Sequence, residues 1–153
     1  NLVGEKAANL ELIDINGKIN PLYDVKADYT IVSFWDPNCG HCKEEMPRID
    51  SLYQANWKDK NVKIYAVMTE ADTMAWKKYI AEHNIGYWTN VYQSLEMMME
   101  EKKSYQPSYK QLYDITQTPT LYLLDKEKRI IAKKLTPLQL NEMLETKWKT
   151  TRQ

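Results

Sequence analysis

The 153-residue chain is 43% hydrophobic and 27% charged, an ordinary globular balance that excludes a disordered or membrane-embedded chain. Lys plus Arg and Asp plus Glu both number 21, so no whole-chain field draws in nucleic acid or an anionic membrane. No apolar run approaches the roughly 20 residues of a membrane-spanning helix, and the length suits one domain over residues 1–153. The chain opens on Asn1 instead of Met, which reads as a processed or trimmed part of a longer precursor with any targeting segment out of view.

In chain order, Leu10–Ile15 reads as a strand, Asn16-Gly17 as a tight hairpin turn and Lys18–Asn20 as the start of the return. Pro21–Val25 has the make-up of a helical turn opening on proline. Tyr29–Trp35, YTIVSFW, is apolar, β-branched and aromatic without helical period, as expected of a central parallel strand buried on both faces. Asp36-Pro37-Asn38 breaks it with turn chemistry. Cys39-Gly40-His41-Cys42 then stands at the start of a predicted helix, Lys43–Lys58, in which Pro47 should introduce a bend. Val62–Thr69 is a second buried strand, and Ala71–His83 an amphipathic helix with Met74, Ala75, Ile80 and Ala81 on its apolar face. Gly86–Tyr92 fits a strand or a loop, while Ser94–Tyr105 and Ser108–Tyr113 read as two short helices broken around Pro107. Pro119–Asp125 is a strand, Lys126–Lys128 a polar turn, Arg129–Lys134 its hairpin partner and Thr136–Trp148 a closing helix.

Only two cysteines are present, too close in sequence to staple distant parts of a fold. They serve chemistry or a metal. The first turn of a helix offers unpaired N–H groups and the positive end of the macrodipole, both of which favour a thiolate. Cys39, the more exposed, is therefore the expected nucleophile, with a pKa below the free value of about 8.5. Cys42, one turn later on the same face, is the expected buried resolving thiol. A structural zinc site needs about four ligands, and beyond the cysteines the chain offers only His41 and His83. Neither a metal nor a cofactor is expected.

Other groups have plainer readings. His83 reads as a surface residue at a helix C-terminus, and one or two of Met97, Met98 and Met99 as core filling, since three consecutive residues cannot share a helix face. The basic run Lys126–Lys134 alternates with Ile130 and Ile131 and reads as a solvated hairpin, not a nucleic-acid site. Trp35 and Trp88 read as core, with Trp35 also placed to line a groove beside the cysteines.

The order of elements, a hairpin, then β-α-β-α, then β-β-α, resembles the thioredoxin superfamily. The resemblance rests on Phe34-Trp35-Asp36-Pro37-Asn38-Cys39-Gly40-His41-Cys42, on Pro47 in the following helix and on Thr118-Pro119 opening a strand. Within that superfamily the N-terminal hairpin and the KEEMP segment after Cys42 look most like the TlpA/ResA-like thiol-disulfide oxidoreductases of bacterial cell envelopes, over Gly4 to Trp148. The resemblance implies an α/β thioredoxin fold, a central mixed sheet flanked by helices with an N-terminal β-hairpin extension. It implies disulfide exchange with protein thiols or disulfides, a periplasmic or cell-envelope setting, and an unidentified redox partner that resets the pair.

It also implies Cys39 as nucleophile, Cys42 as resolver, and a cis Pro119 that presents backbone to substrate, with Trp35, Pro37 and Thr118 beside it. Thioredoxins place a buried aspartate six residues before the first cysteine as a proton acceptor, but Ser33 stands there in this chain. Glu45 matches a glutamate of the ResA-like group and is one candidate for that task if burial raises its pKa; a solvated helix residue like Glu44 is the other reading. His41 gives the CGHC sequence shared with protein disulfide isomerases, and its imidazole can stabilise the Cys39 thiolate and make the disulfide more oxidising. Two alternatives stand beside this reading: a non-enzymatic thioredoxin-like binding module of a larger envelope protein, and a peroxiredoxin-like peroxidase. The latter wants Pro and Thr or Ser seven and three residues before its cysteine, where Cys39 has Val32 and Asp36, and Cys42 has Trp35 and Cys39.

Overall fold

The structure is a computed structural model and describes residues 2–151. Strands β1 (Glu11–Ile13), β2 (Ile19–Pro21), β3 (Tyr29–Trp35), β4 (Val62–Met68), β5 (Thr89–Tyr92), β6 (Thr120–Leu124) and β7 (Ile130–Lys133) form one mixed sheet in the order β2-β1-β5-β4-β3-β6-β7. Helices α1 (Gly40–Leu52), α2 (Thr73–Glu82), α3 (Leu95–Lys103), α4 (Tyr109–Leu112) and α5 (Pro137–Thr151) connect and close it. β3 is central as expected: it runs parallel to β4 from Tyr29 opposite Val62 to Trp35 opposite Met68, and antiparallel to β6. The undecided Gly86–Tyr92 stretch holds β5, parallel to β4 and joined to β1 at Ile13.

Successive right-handed crossovers from β3 to β4 to β5 move the same way across the sheet, so α1 and α2 cover one face. α5 joins them there, over a core that includes Ile31, Trp35, Met46, Trp57, Trp76 and Leu140. The other face is built differently. Short pieces, the N-terminal segment, the 3-10 turn Leu22–Asp24 and α4, cover Val32, Phe34, Tyr65, Tyr109, Tyr113 and Tyr122. Tyrosine hydroxyls fasten those pieces to backbone: Tyr65 donates to the Asn20 carbonyl at 2.7 Å, with the Leu10 carbonyl at 3.2 Å, and Tyr23 to the Ala7 carbonyl at 2.6 Å. Tyr113 donates to the Ala8 carbonyl and Tyr122 to that of Tyr113.

Several expectations need correction. α1 starts at Gly40, earlier than Lys43, and its last part, Tyr53–Trp57, is a π-helical turn that sets Trp57 Nε1 2.9 Å from the Asn141 Oδ1 it donates to. In α2, Met74 is 84% exposed and Ala81 is exposed; the buried stripe is Trp76, Tyr79 and Ile80, because bulky aromatics bury more area than Met or Ala can. The β1–β2 connection is longer than a two-residue turn and is organised by the Asp14 carboxylate, which accepts the N–H groups of Asn16 and Lys18 at 2.8 and 3.0 Å. Gly17, at φ 79°, supplies the left-handed residue it requires. None of Met97, Met98 and Met99 is buried, so α3 adds no methionine to the core. Lys128 is not solvated: only 5% of it is exposed, and its Nζ donates to the Val25 carbonyl at 2.6 Å. Finally, the N-terminal segment lies along the start of β7, with Gly4 N–H donating to the Ile130 carbonyl and Ile130 N–H to the Glu5 carbonyl, at 2.8 and 2.9 Å.

Candidate active site

The end of β3 is pinned before the cysteines begin. Thr69 donates to the Trp35 carbonyl through both N–H and Oγ1, at 2.9 and 3.3 Å. Asp36 turns the chain by accepting the Cys39 N–H on its carbonyl at 3.0 Å and the Asn38 N–H on its carboxylate at 2.9 Å. Asn38 in turn donates to the Asp72 carboxylate at 2.8 Å, and Asp72 caps α2 by accepting the Ala75 N–H. The loop is thus tied to two elements. Cys39 itself is the N-cap of α1: its backbone is extended, φ −96° and ψ 124°, and its Sγ accepts the Cys42 N–H at 3.3 Å. A sulfur occupies the place where a Ser or Asp oxygen ordinarily satisfies a helix's orphan donor.

That placement separates the two thiols, both of which are unbridged. Burial alone pushes Cys39 up, but hydrogen bonds from the Cys42 thiol, the Cys42 amide, Thr118 and the His41 amide outweigh it and hold Cys39 below its ordinary value. For Cys42 the balance is opposite. Burial lifts it to about 12, its hydrogen bond to the Cys39 sulfur adds to the rise, and the Asp36 amide, 3.4 Å from Cys42 Sγ, opposes it. The two thiols are therefore displaced in opposite directions, Cys39 toward the thiolate and Cys42 toward the protonated thiol.

The other predicted site residues fall into three groups. Thr118 and Pro119 are brought to the cysteines: the Thr118 carbonyl lies 3.7 Å from Cys39 Sγ as its acceptor, and the Thr118–Pro119 peptide is cis. His41 is exposed and meets Cys39 through its backbone N–H. Trp35 and Pro37 are buried, Trp35 completely and with its ring 5.1 Å from that of Tyr79, so the core reading of Trp35 holds and the expectation that either meets substrate is corrected to a packing position beneath the site.

Ser33 replaces the thioredoxin aspartate with a group that holds no charge. Its buried hydroxyl contacts Met46 Sδ at 3.8 Å. Glu45 lies one helical turn after Cys42 and is half-buried, whereas Glu44 is exposed. Burial raises the Glu45 carboxyl to about 7 against the pull of Arg48, and its Oε2 is buried without a hydrogen-bond partner.

Tyr79 escaped the sequence reading. Its hydroxyl donates to the Lys43 carbonyl at 3.1 Å, and burial, then the nearby charge of Cys42, raise it to about 12. His83, expected on the surface, is half-buried and stacks on the Tyr79 ring at 3.8 Å. The spacing Trp76, Tyr79, Ile80, His83 was the signal, an i, i+3, i+4, i+7 stripe of mostly aromatic residues. Among the described residues no three His, Cys, Asp or Glu side chains are placed to hold a metal ion, and no helix is long and apolar enough to cross a membrane.

Comparison with known proteins fits this geometry. Residues 3–133 match the AhpC/TSA family. A curated relative, the thiol-disulfide oxidoreductase ResA of Bacillus cereus, is 25% identical over 143 residues, covering 94% of this chain and 75% of the relative. The thioredoxin-like protein YneN of Bacillus subtilis is 26% identical, covering 81% of this chain and 66% of its own. Among solved structures, a domain of a possible thiol-disulfide isomerase from Cytophaga hutchinsonii is 38% identical with a TM-score of 0.83, covering 99% of this chain and 97% of that one. The thioredoxin domain of a thiol-disulfide oxidoreductase from Bacteroides vulgatus is 32% identical with a TM-score of 0.78, covering 94% and 96%.

Proposed function

The chain belongs to the AhpC/TSA family, and from that footing we propose that its Cys39–Cys42 pair exchanges disulfides with cysteines of other proteins in the bacterial cell envelope. It is a thiol-disulfide oxidoreductase with the thioredoxin-like fold of its relatives. The observation that carries the mechanism is the opposite displacement of two thiols joined by one helix cap.

In the reducing direction the Cys39 thiolate attacks one sulfur of a substrate disulfide, forming a mixed disulfide and releasing the other as a thiolate. Cys42 then gives up its proton and attacks Cys39 Sγ. The second substrate sulfur leaves, two electrons have passed to the substrate, and Cys39–Cys42 is a disulfide that a redox partner must reduce. Oxidation runs the same steps backwards. Glu45 is the proton acceptor for Cys42: a carboxyl near 7 takes a proton at neutral pH and returns it, which Ser33 cannot do. Thr118 and Pro119 present backbone to the substrate strand beside Cys39, and the exposed His41 supports the thiolate. The cell-envelope setting rests on resemblance to the TlpA/ResA-like group.

Near pH 6, iodoacetamide should label Cys39 far faster than Cys42, and the Cys42→Ala variant should accumulate mixed disulfides with protein substrates. Equal, slow labelling of both thiols overturns the activated pair, and an absence of trapped partners favours a binding module. The equilibrium potential of the pair gives the direction: about −270 mV marks a reductant, and about −180 mV or above an oxidant or isomerase.

A further inference from the structure

At the end of the sheet away from the cysteines, a cavity of about 490 Å³ lies between the Tyr23–Asp28 connection and the β6–β7 turn. Asp28, on its wall, precedes β3, whereas Cys39 follows it; seven residues at about 3.3 Å each put roughly 20 Å between the two ends. Four lysines, Lys6, Lys26, Lys126 and Lys128, line the cavity against two carboxylates, Asp28 and Glu127. Among the described residues none of the four lysines forms an ion pair.

Lys128 is the unusual member. Its backbone, at φ 67°, sits in the left-handed region that only glycine enters freely. Its side chain is buried, and the Val25 carbonyl is one acceptor for an ammonium with three donors. Burial holds its pKa below the ordinary lysine value; the charges of Lys26 and Lys6 push the same way, and Asp125 opposes them. Lys6 is fixed nearby, its Nζ 4.6 Å over the Tyr23 ring and its backbone bridged to Arg129. A buried ammonium facing like charges is costly until an anion meets it.

We propose that this cavity binds a phosphate-bearing anion, with Lys128 at its base and Lys6, Lys26 and Lys126 around it. The lining carries two positive charges in excess, which a phosphate dianion neutralises. Inorganic phosphate, a soluble phosphate ester and a phospholipid headgroup share this chemistry. The site is independent of the redox reading, and its distance from Cys39 leaves the cysteines open while it is filled.

The test uses the reduced full chain. Titration with sodium phosphate at constant ionic strength and neutral pH should give saturable amide shifts at Ala27, Asn61, Glu127 and Lys128, and none at Cys39. In parallel, sedimentation with phosphatidylglycerol vesicles is compared with sedimentation with phosphatidylcholine vesicles. Since loss of buried Lys128 can disturb the turn itself, the deciding variant is K26Q/K126Q, in which both replaced residues are exposed. It should weaken binding at least about fivefold per lysine without other spectral change. Saturable shifts with free phosphate alone identify a soluble ligand, and selective capture by phosphatidylglycerol alone identifies a headgroup. If neither probe binds, or K26Q/K126Q binds both as well as the unaltered chain, the site is overturned.

Discussion

The two faces of the sheet solve the same burial problem by different means. Under α1, α2 and α5 the core is aliphatic and tryptophan-rich, and the helices are long enough to hold one another in place. On the far face the covering pieces are short and no single one buries much area, so tyrosines supply apolar rings and then use their hydroxyls to hold the backbone that covers them. The first face can carry a reactive thiol because its packing is rigid and needs few polar groups. The second depends on hydrogen bonds that cost stability when left half-made.

Breaking each face in turn should separate stability from chemistry. The largest effect is expected from Met46→Ala, which empties a fully buried site in α1 one turn past Cys42. It should cost about 2–5 kcal/mol in chemical denaturation, and should speed native-state alkylation of Cys42 by loosening its surroundings. Tyr65→Phe removes one buried hydroxyl and the hydrogen bond it donates to the Asn20 carbonyl, while the Leu10 carbonyl keeps the Leu22 N–H. A loss of about 1–3 kcal/mol is expected, with Cys39 labelling at pH 6 unchanged. If Tyr65→Phe alters that labelling as much as Met46→Ala does, the two faces act as one unit.

The smallest effect, and the sharpest in pH, belongs to Glu45. Below about pH 4.5 its carboxyl is protonated in folded and unfolded chains alike and contributes nothing. Between about 4.5 and 7 the unfolded chain ionises while the folded one keeps its proton, so stability falls as pH rises, and above 7 the loss is complete. After solvent screening of a half-buried group this amounts to on the order of 1–2 kcal/mol. Glu45→Gln should flatten that slope in denaturation curves measured across the range. It should also slow the resolution of mixed disulfides at neutral pH, which separates proton transfer from a purely structural role.

What could be read beforehand follows the same division. β3, β4 and the presence of a helix after the cysteines were visible because a parallel strand buried on both faces is an unbroken apolar run, and because a CxxC at a helix start has a local electrostatic meaning. The far face was invisible in that sense. A tyrosine such as Tyr65 or Tyr113 has the same signature whether its hydroxyl faces water or a carbonyl 45 or 105 residues away in sequence. Lys128 was misread for a related reason: a lysine in a polar turn is solvated unless something distant, here the Val25 carbonyl, folds over it. Met74 and Tyr79 exchanged roles because hydropathy ranks methionine above tyrosine, whereas the groove beneath α2 selects for area. For Glu45 the sequence left a proton acceptor and a solvated helix residue side by side, because its half-burial depends on how α1 is seated, which no local pattern encodes.

The rims of the sheet bear on how this molecule meets other chains. β2 is three residues long and ends in Pro21, which has no N–H to offer a neighbour, and β7 begins already paired with the Gly4–Glu5 stretch. An unfolded polypeptide arriving at either rim finds no ladder long enough to extend, and two copies of the molecule cannot zip together there. If the proposed exchange at Cys39 brings partly folded chains to this molecule, its rims give them little to add a strand to.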